Sequence, residues 1–106
     1  MCPLRIGLVK TLLTACVALL FIAGCAVNPP VQEMSNARQA LQAAEDAQAQ
    51  VYAPQPYAQA QRHLRKASNY LEAGDYMQAR THAQEAKVAA TKARQQALSE
   101  RREIEN

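Results

Sequence analysis

A row of alanines at alternating spacings of three and four residues runs unbroken through the last third of the chain. The row follows Tyr76 and consists of Ala79, Ala83, Ala86, Ala90, Ala93 and Ala97. This spacing places the side chains along one stripe of an α-helix, and such heptad stripes pack against neighbouring helices along their length. Alanine is also the strongest helix former. The row therefore predicts a long amphipathic helix over about 75–104 and an all-α fold.

Two shorter rows with the same spacing come before it. The first consists of Met34, Ala37, Leu41, Ala44 and Val51, and the polar Gln48 interrupts it. The second consists of Tyr57, Ala60, Leu64, Ala67 and Leu71. Each row is typical of an amphipathic helix, so the sequence predicts two more helices, over about 31–52 and 55–73.

Proline and glycine mark the boundaries between the predicted helices. Pro54 and Pro56 cannot lie inside one continuous helix, but they fit the first turn of a new one. Gly74 followed by Asp75 is typical of a left-handed helix end and of the N-cap of the next helix. We therefore expect an antiparallel helical hairpin around Gly74, either tetratricopeptide-like or part of a coiled-coil bundle.

The N-terminus is typical of an export signal. Arg5 and Lys10 come before an uncharged, mostly apolar run over 11–23, which matches the charged and apolar regions of a secretory signal peptide. A membrane-spanning helix needs about 20 apolar residues, so this run is too short to span a bilayer. We expect an N-terminal signal helix within residues 1–24.

Residues 22–25, with the sequence Ile-Ala-Gly-Cys, resemble the lipobox of bacterial lipoproteins. The resemblance implies cleavage between Gly24 and Cys25, a diacylglyceryl group on the Cys25 thiol and an acyl chain on its new amino group. Cys16 ends a similar stretch, but cleavage there would leave only a short apolar region in the signal. The chain is thus predicted to consist of a signal peptide (1–24), a lipidated tether (25–30) and an alanine-rich helical domain (31–106), with no other cofactor.

Ala26, which follows Cys25, bears on the destination of the protein. In lipoproteins of two-membrane bacteria an aspartate at this position favours retention in the inner membrane. The resemblance therefore implies transfer to the outer membrane, with the lipid-anchored chain facing the periplasm. Five extended residues reach at most about 18 Å, so the helical domain is expected to lie close to the bilayer.

Composition excludes several classes of protein. The 106-residue chain has a net charge of +3, which falls to +1 once Arg5 and Lys10 leave with the signal peptide. One cysteine remains, which excludes a disulfide-stapled scaffold. The net charge of +1 excludes a strongly basic nucleic-acid binder. The sequence holds no Gly-flanked nucleophile and no phosphate-binding loop. We therefore expect no enzymatic activity.

Basic residues recur every seven positions beside the alanine row. These are Arg80, Lys87, Arg94 and Arg101, called here the basic stripe. The stripe is a candidate interaction surface, which could pair with Glu33 and Glu45 or face an anionic surface such as lipid head groups or cell-wall carboxylates. The alternative interpretation is that the aliphatic stems cover the alanine row while the charges stay in water.

His63 and His82 lie on opposite arms of the predicted hairpin. If the turn is centred on Gly74, the two histidines are about three residues out of register, and no third His or Cys lies nearby. A zinc site requires at least three protein ligands. The sequence therefore predicts two solvated histidines and no metal site.

Two stretches resemble known families. Gly74-Asp75-Tyr76 with the first alanines of the row resembles one tetratricopeptide hairpin, but a single hairpin cannot form the peptide groove of that family. A longer match combines Tyr52-Ala53-Pro54, the row over 60–71, Gly74-Asp75-Tyr76 and the alanine row. It is similar to the small bacterial lipoproteins grouped as domain of unknown function 4398. Members of that family often lie beside, or are fused to, peptidoglycan-binding modules of the OmpA type, which implies an envelope role.

The sequence thus predicts an outer-membrane lipoprotein that serves as a non-enzymatic interaction or structural module of the cell envelope. Its expected mechanism is attachment through Cys25 and association through the alanine rows. The expected partner is an envelope protein, such as a peptidoglycan-binding protein of the OmpA type, and not nucleic acid. Two alternatives stay open: a self-associating coiled-coil lipoprotein, and a periplasmic subunit that binds a small ligand or a metal.

Overall fold

The structure is a computed structural model that describes residues 3–23 and 28–106. Within these ranges the regular structure is entirely helical, which confirms the predicted all-α fold. The helices are α1 (Pro3–Ala23), α2 (Val31–Asp46), α3 (Ala49–Tyr52), α4 (Pro54–Glu72) and α5 (Tyr76–Glu105). A turn of three residues, 73–75, connects α4 to α5.

Helix α1 covers the segment that is predicted to be a signal. The apolar side chains over residues 6–17, including those of Ile6, Leu12 and Leu13, are exposed. In the part of the chain that the structure describes, no helix is both long and apolar enough to be a candidate for crossing a membrane.

Helices α2, α4 and α5 form an up-down-up bundle. Ala67 of α4 clusters with Ala83, whereas Ala60 clusters with Ala90, so α4 runs antiparallel to α5. Helix α2 runs parallel to α5, because its start clusters with residue 83 and its end with residue 97. Helix α5 thus lies against both other helices and holds the bundle together.

Alanines form the core in three layers. From the α4–α5 turn to the other end, the layers are Met34, Ala37, Ala67, Ala83 and Ala86; then Ala60, Ala89 and Ala90; then Ala44, Ala47, Ala49, Ala53, Ala93 and Ala97. Met34 is the one large apolar residue among the fully buried apolar side chains of the described ranges. Because alanine has a small side chain, the helix backbones approach closely. The core is therefore held by close packing between the helices and not by large apolar side chains.

The turn between α4 and α5 satisfies the polar groups at both helix ends. Gly74 adopts a left-handed conformation (φ 79°), and its N–H donates to the Leu71 carbonyl at 3.1 Å. The Asp75 N–H donates to the Tyr70 carbonyl at 2.9 Å, which completes a Schellman motif. The Asp75 carboxylate then accepts from the Gln78 N–H at 3.2 Å and caps α5.

The first predicted helix differs from the structure. The sequence predicts one helix over 31–52, but α2 ends at Asp46 and α3 begins at Ala49. Between them Gln48 adopts a left-handed conformation (φ 62°), which costs a non-glycine residue about 1–2 kcal/mol. The break redirects the chain so that Ala49 and Ala53 become fully buried against α5. Tertiary packing thus overrides the helix propensity of this segment.

Candidate functional site

The predicted lipidation and cleavage residues, Cys25 and Gly24, lie outside the residues that the structure describes. The first described residues after them are fastened to the bundle. The Arg80 guanidinium donates through Nη2 to the Asn28 carbonyl oxygen at 3.2 Å, and Pro30 is fully buried. Residues 28–30 are therefore held at the end of the bundle that carries the α4–α5 turn.

The basic stripe divides into paired and unpaired members. Arg80 Nε lies 3.0 Å from Glu33 Oε1, which links the start of α5 to the start of α2. Lys87 and Arg94 are exposed and Arg101 is half-buried. Within the described ranges, these three have no carboxylate oxygen within 4.0 Å. The members of the stripe that can bind another molecule are therefore Lys87, Arg94 and Arg101.

Glu45, the other acidic residue that the sequence offers to the stripe, has a different partner. The Tyr57 hydroxyl donates to Glu45 Oε1 at 2.9 Å and accepts from Gln61 Nε2 at 3.2 Å. Burial raises the pKa of Tyr57 above its usual value, and the hydrogen bond to Glu45 and the charge of that carboxylate raise it further. Tyr57 therefore remains a neutral hydroxyl donor that ties α4 to α2.

A cluster of His63, His82 and Glu85, called here the His/Glu cluster, lies between α4 and α5. His63 Nδ1 lies 3.3 Å from His82 Nδ1. Glu85 Oε2 lies 3.0 Å from His63 Nδ1 and 3.3 Å from His82 Nδ1. Three donor atoms of types that bind transition metals thus form one compact triangle.

The His/Glu cluster differs from the two solvated histidines that the sequence predicts. The side chains of His63 and His82 are only 20% and 17% exposed. An offset of three residues amounts to about 4.5 Å along a helix, which long side chains can bridge. His82 and Glu85 form a His-x-x-Glu pair on one helix face, and this pattern is the sequence signal that could have found the third member.

Neighbouring side chains hold the His/Glu cluster in place. The Tyr70 ring stacks on His82 with a centroid distance of 5.3 Å and an interplanar angle of 5°. The His63 and His82 rings stack at 5.5 Å and 25°. His63 and Glu85 also line a surface groove with Gln59 and Lys92, so the cluster is fixed at its back and open to solvent at its front.

Comparison with known proteins identifies the family of the chain. The searches of curated proteins and of solved structures give no match. A family model, for a domain of unknown function called DUF4398, matches residues 32–106. This match covers most of the chain and includes α2 from its second residue, together with α3, α4 and α5. On this evidence the chain belongs to the DUF4398 family.

Proposed function

We propose that the protein is an outer-membrane lipoprotein that presents a non-enzymatic helical interaction module close to the membrane, with acyl chains on Cys25 as the anchor. The observation that carries the proposal is that Asn28, only three residues after the predicted lipidation residue Cys25, accepts a hydrogen bond from Arg80 of the bundle. Three residue steps separate Cys25 from Asn28, and they span at most about 11 Å. Two acyl signals give stable attachment to a bilayer, whereas a single chain gives only marginal binding.

Under this proposal the bundle has a defined orientation. The Asn28 contact with Arg80 supports an orientation with the α4–α5 turn next to the bilayer, because Asn28 follows Cys25 by only three residues. Val31 and Met77 lie at this end and are 68% and 77% exposed, so two apolar side chains are available to the membrane interface in this orientation. The 30 residues of α5 extend about 45 Å in the other direction, into the periplasm. Lys87, Arg94 and Arg101 then lie at increasing distances from the membrane.

The α5 alanine row cannot be the surface through which this fold contacts another chain. The row is buried within a single chain by α2 and α4, and Ala79, Ala90 and Ala97 are each 0% exposed. A self-associating lipoprotein would therefore need another surface. We assign the partner contact to the unpaired members of the basic stripe, Lys87, Arg94 and Arg101, which fit an anionic region of an envelope protein.

Replacement of Cys25 by serine tests the anchor. In a two-membrane bacterium that produces the chain, we expect the wild-type protein in the outer-membrane fraction and the Cys25→Ser protein absent from it. Mass spectrometry of the wild-type N-terminus should give an acylated cysteine at residue 25. The Cys16→Ser variant is the matched control, and it should keep both the location and the acyl mass. An unmodified N-terminus, or a lipid on Cys16, would contradict the proposal.

Charge reversal tests the partner contact. In envelope crosslinking, the protein with Lys87→Glu and Arg94→Glu should lose at least about 80% of its adducts, since rim charges guide association and reversal makes them repulsive. Arg62→Glu with Arg65→Glu is the control, because these exposed arginines on α4 give the same change in net charge. Equal losses in both double variants would mean that net charge alone, and not the stripe, governs the contact.

A further inference from the structure

We propose that the His/Glu cluster is a binding site for a divalent transition-metal ion, with zinc as the preferred probe. The three protein ligands would be His63 Nδ1, His82 Nδ1 and one carboxylate oxygen of Glu85. Nothing in the family description assigns such a site. The inference goes beyond the proposed function and does not depend on lipid anchoring, because all three residues belong to the bundle.

The size of the donor triangle matches a zinc coordination shell. Its edges are 3.3 Å, 3.0 Å and 3.3 Å. In tetrahedral zinc with bonds of about 2.05 Å, neighbouring ligand atoms lie about 3.3 Å apart. An ion about 0.9 Å out of the plane of the triangle would therefore lie about 2.05 Å from all three atoms. The three donor atoms are therefore already separated by the distances that a zinc ion requires.

The chemistry of the ligand set points to the same class of ion. Two imidazoles and one carboxylate are ligands for zinc and related borderline ions, while magnesium and calcium prefer oxygen alone. Two histidines with one glutamate leave a fourth coordination position for water. Because His63 and Glu85 line the open groove, that position has access to solvent.

Protons and stacking explain how two histidine nitrogens come to lie so close together. Two bare Nδ1 lone pairs at 3.3 Å would repel each other, so at least one of the two Nδ1 atoms carries a proton that faces the other Nδ1 or the Glu85 oxygen. A metal ion can take the place of such a proton. A neutral imidazole then carries its proton on Nε2 instead of Nδ1, so neither ring has to lose its proton. Stacking by Tyr70 fixes the ring of His82 before the ion arrives.

Zinc titration of the full-length chain tests the site. Cys2, Cys16 and Cys25 are replaced by serine so that no thiolate competes, and the protein is kept in mild detergent. We expect one zinc ion per chain, with a dissociation constant on the order of micromolar. The Glu85→Gln variant should bind at least about tenfold more weakly, and so should His63→Gln. The Glu100→Gln variant, altered at an exposed position of the same helix, should bind as the parent does.

Cobalt provides an independent measurement of geometry. Co²⁺ bound by the parent chain should show the strong visible absorption of a four-coordinate site, and Glu85→Gln should lose it. Because the Glu85 side chain is 47% exposed, this variant is expected to keep the melting temperature of the metal-free parent. The proposal is overturned if the parent binds no stoichiometric zinc. It is also overturned if Glu85→Gln binds zinc as tightly as the parent, or if bound cobalt has only the weak spectrum of a hydrated, six-coordinate ion.

Discussion

Replacement of Met34 by alanine is expected to lower the free energy of unfolding by about 2–5 kcal/mol, because truncation of a buried large side chain leaves a cavity. Met34 is 2% exposed and lies among Ala37, Ala67, Ala83 and Ala86. None of these alanines can reach into the vacated volume. For a domain of this size the melting temperature should fall by roughly 10 °C or more. Thermal melts followed by far-UV circular dichroism would measure the change.

Met77 provides the control for Met34. It lies in the first turn of α5 and is 77% exposed, so Met77→Ala makes the same chemical change without a cavity. We expect this variant to differ from the parent by less than about 0.5 kcal/mol, as is usual for surface positions. If both variants melted at the same temperature, Met34 would not be the residue on which the first core layer depends.

The second large effect is expected from the opposite change, enlargement of a buried alanine. Ala90 is 0% exposed and packs with Ala60 and Ala89 in the middle layer. Ala40 and Leu41 of α2 also pack against this layer. A leucine at position 90 must therefore push α4 or α2 away from α5, since Ala60 and Ala89 have no side chain that can withdraw. We expect Ala90→Leu to destabilise the fold by about 3 kcal/mol, at the upper end for overpacked cores. Chemical denaturation would give the free energy directly.

Ala73→Leu is the control for Ala90→Leu. Ala73 is exposed at the end of α4, so the same added carbon atoms meet solvent rather than a facing backbone. The free energy of unfolding should stay within about 0.5 kcal/mol of the parent value. A tolerated Ala90→Leu would show that the helices are not in close contact at the middle layer, and the alanine row would then lose its structural explanation.

The alanine rows predict most of the fold because spacing alone determines which face of each helix is buried. Every alanine of the α5 row is at most 2% exposed in the structure. The Gly74-Asp75 pair likewise predicts the conformation of the α4–α5 turn, since its two residue types have specific backbone roles. These are local properties, so they can be read from a short stretch of sequence.

The break at Gln48 could not be predicted in the same way. Its neighbours are alanines and glutamines, which are good helix formers, and no glycine or proline marks the position. The left-handed residue exists because Ala49 and Ala53 gain full burial against α5. That gain depends on helices distant in sequence, and the spacing pattern contains no information about it.

The candidate site shows the same limit. Its members belong to two helices, and the sequence places His63 and His82 on adjoining arms without giving the side-chain directions. An estimate from the turn alone separates them by three residues, although their Nδ1 atoms lie 3.3 Å apart. The ion pair between Arg80 and Glu33 is easier to predict, because the charge pattern of the sequence already suggests pairing between the basic stripe and Glu33.

The alanine core also determines how the stability of the bundle varies with temperature. The heat-capacity change of unfolding grows with the apolar area that becomes exposed, by about 0.45 cal/mol/K for each Å². Alanine contributes little area, and Met77 and Val88 are already 77% and 69% exposed in the folded chain. Unfolding therefore adds less apolar hydration than in a leucine-rich bundle of the same length. The stability curve is correspondingly flat, so cooling weakens this fold less than it weakens a leucine-rich bundle.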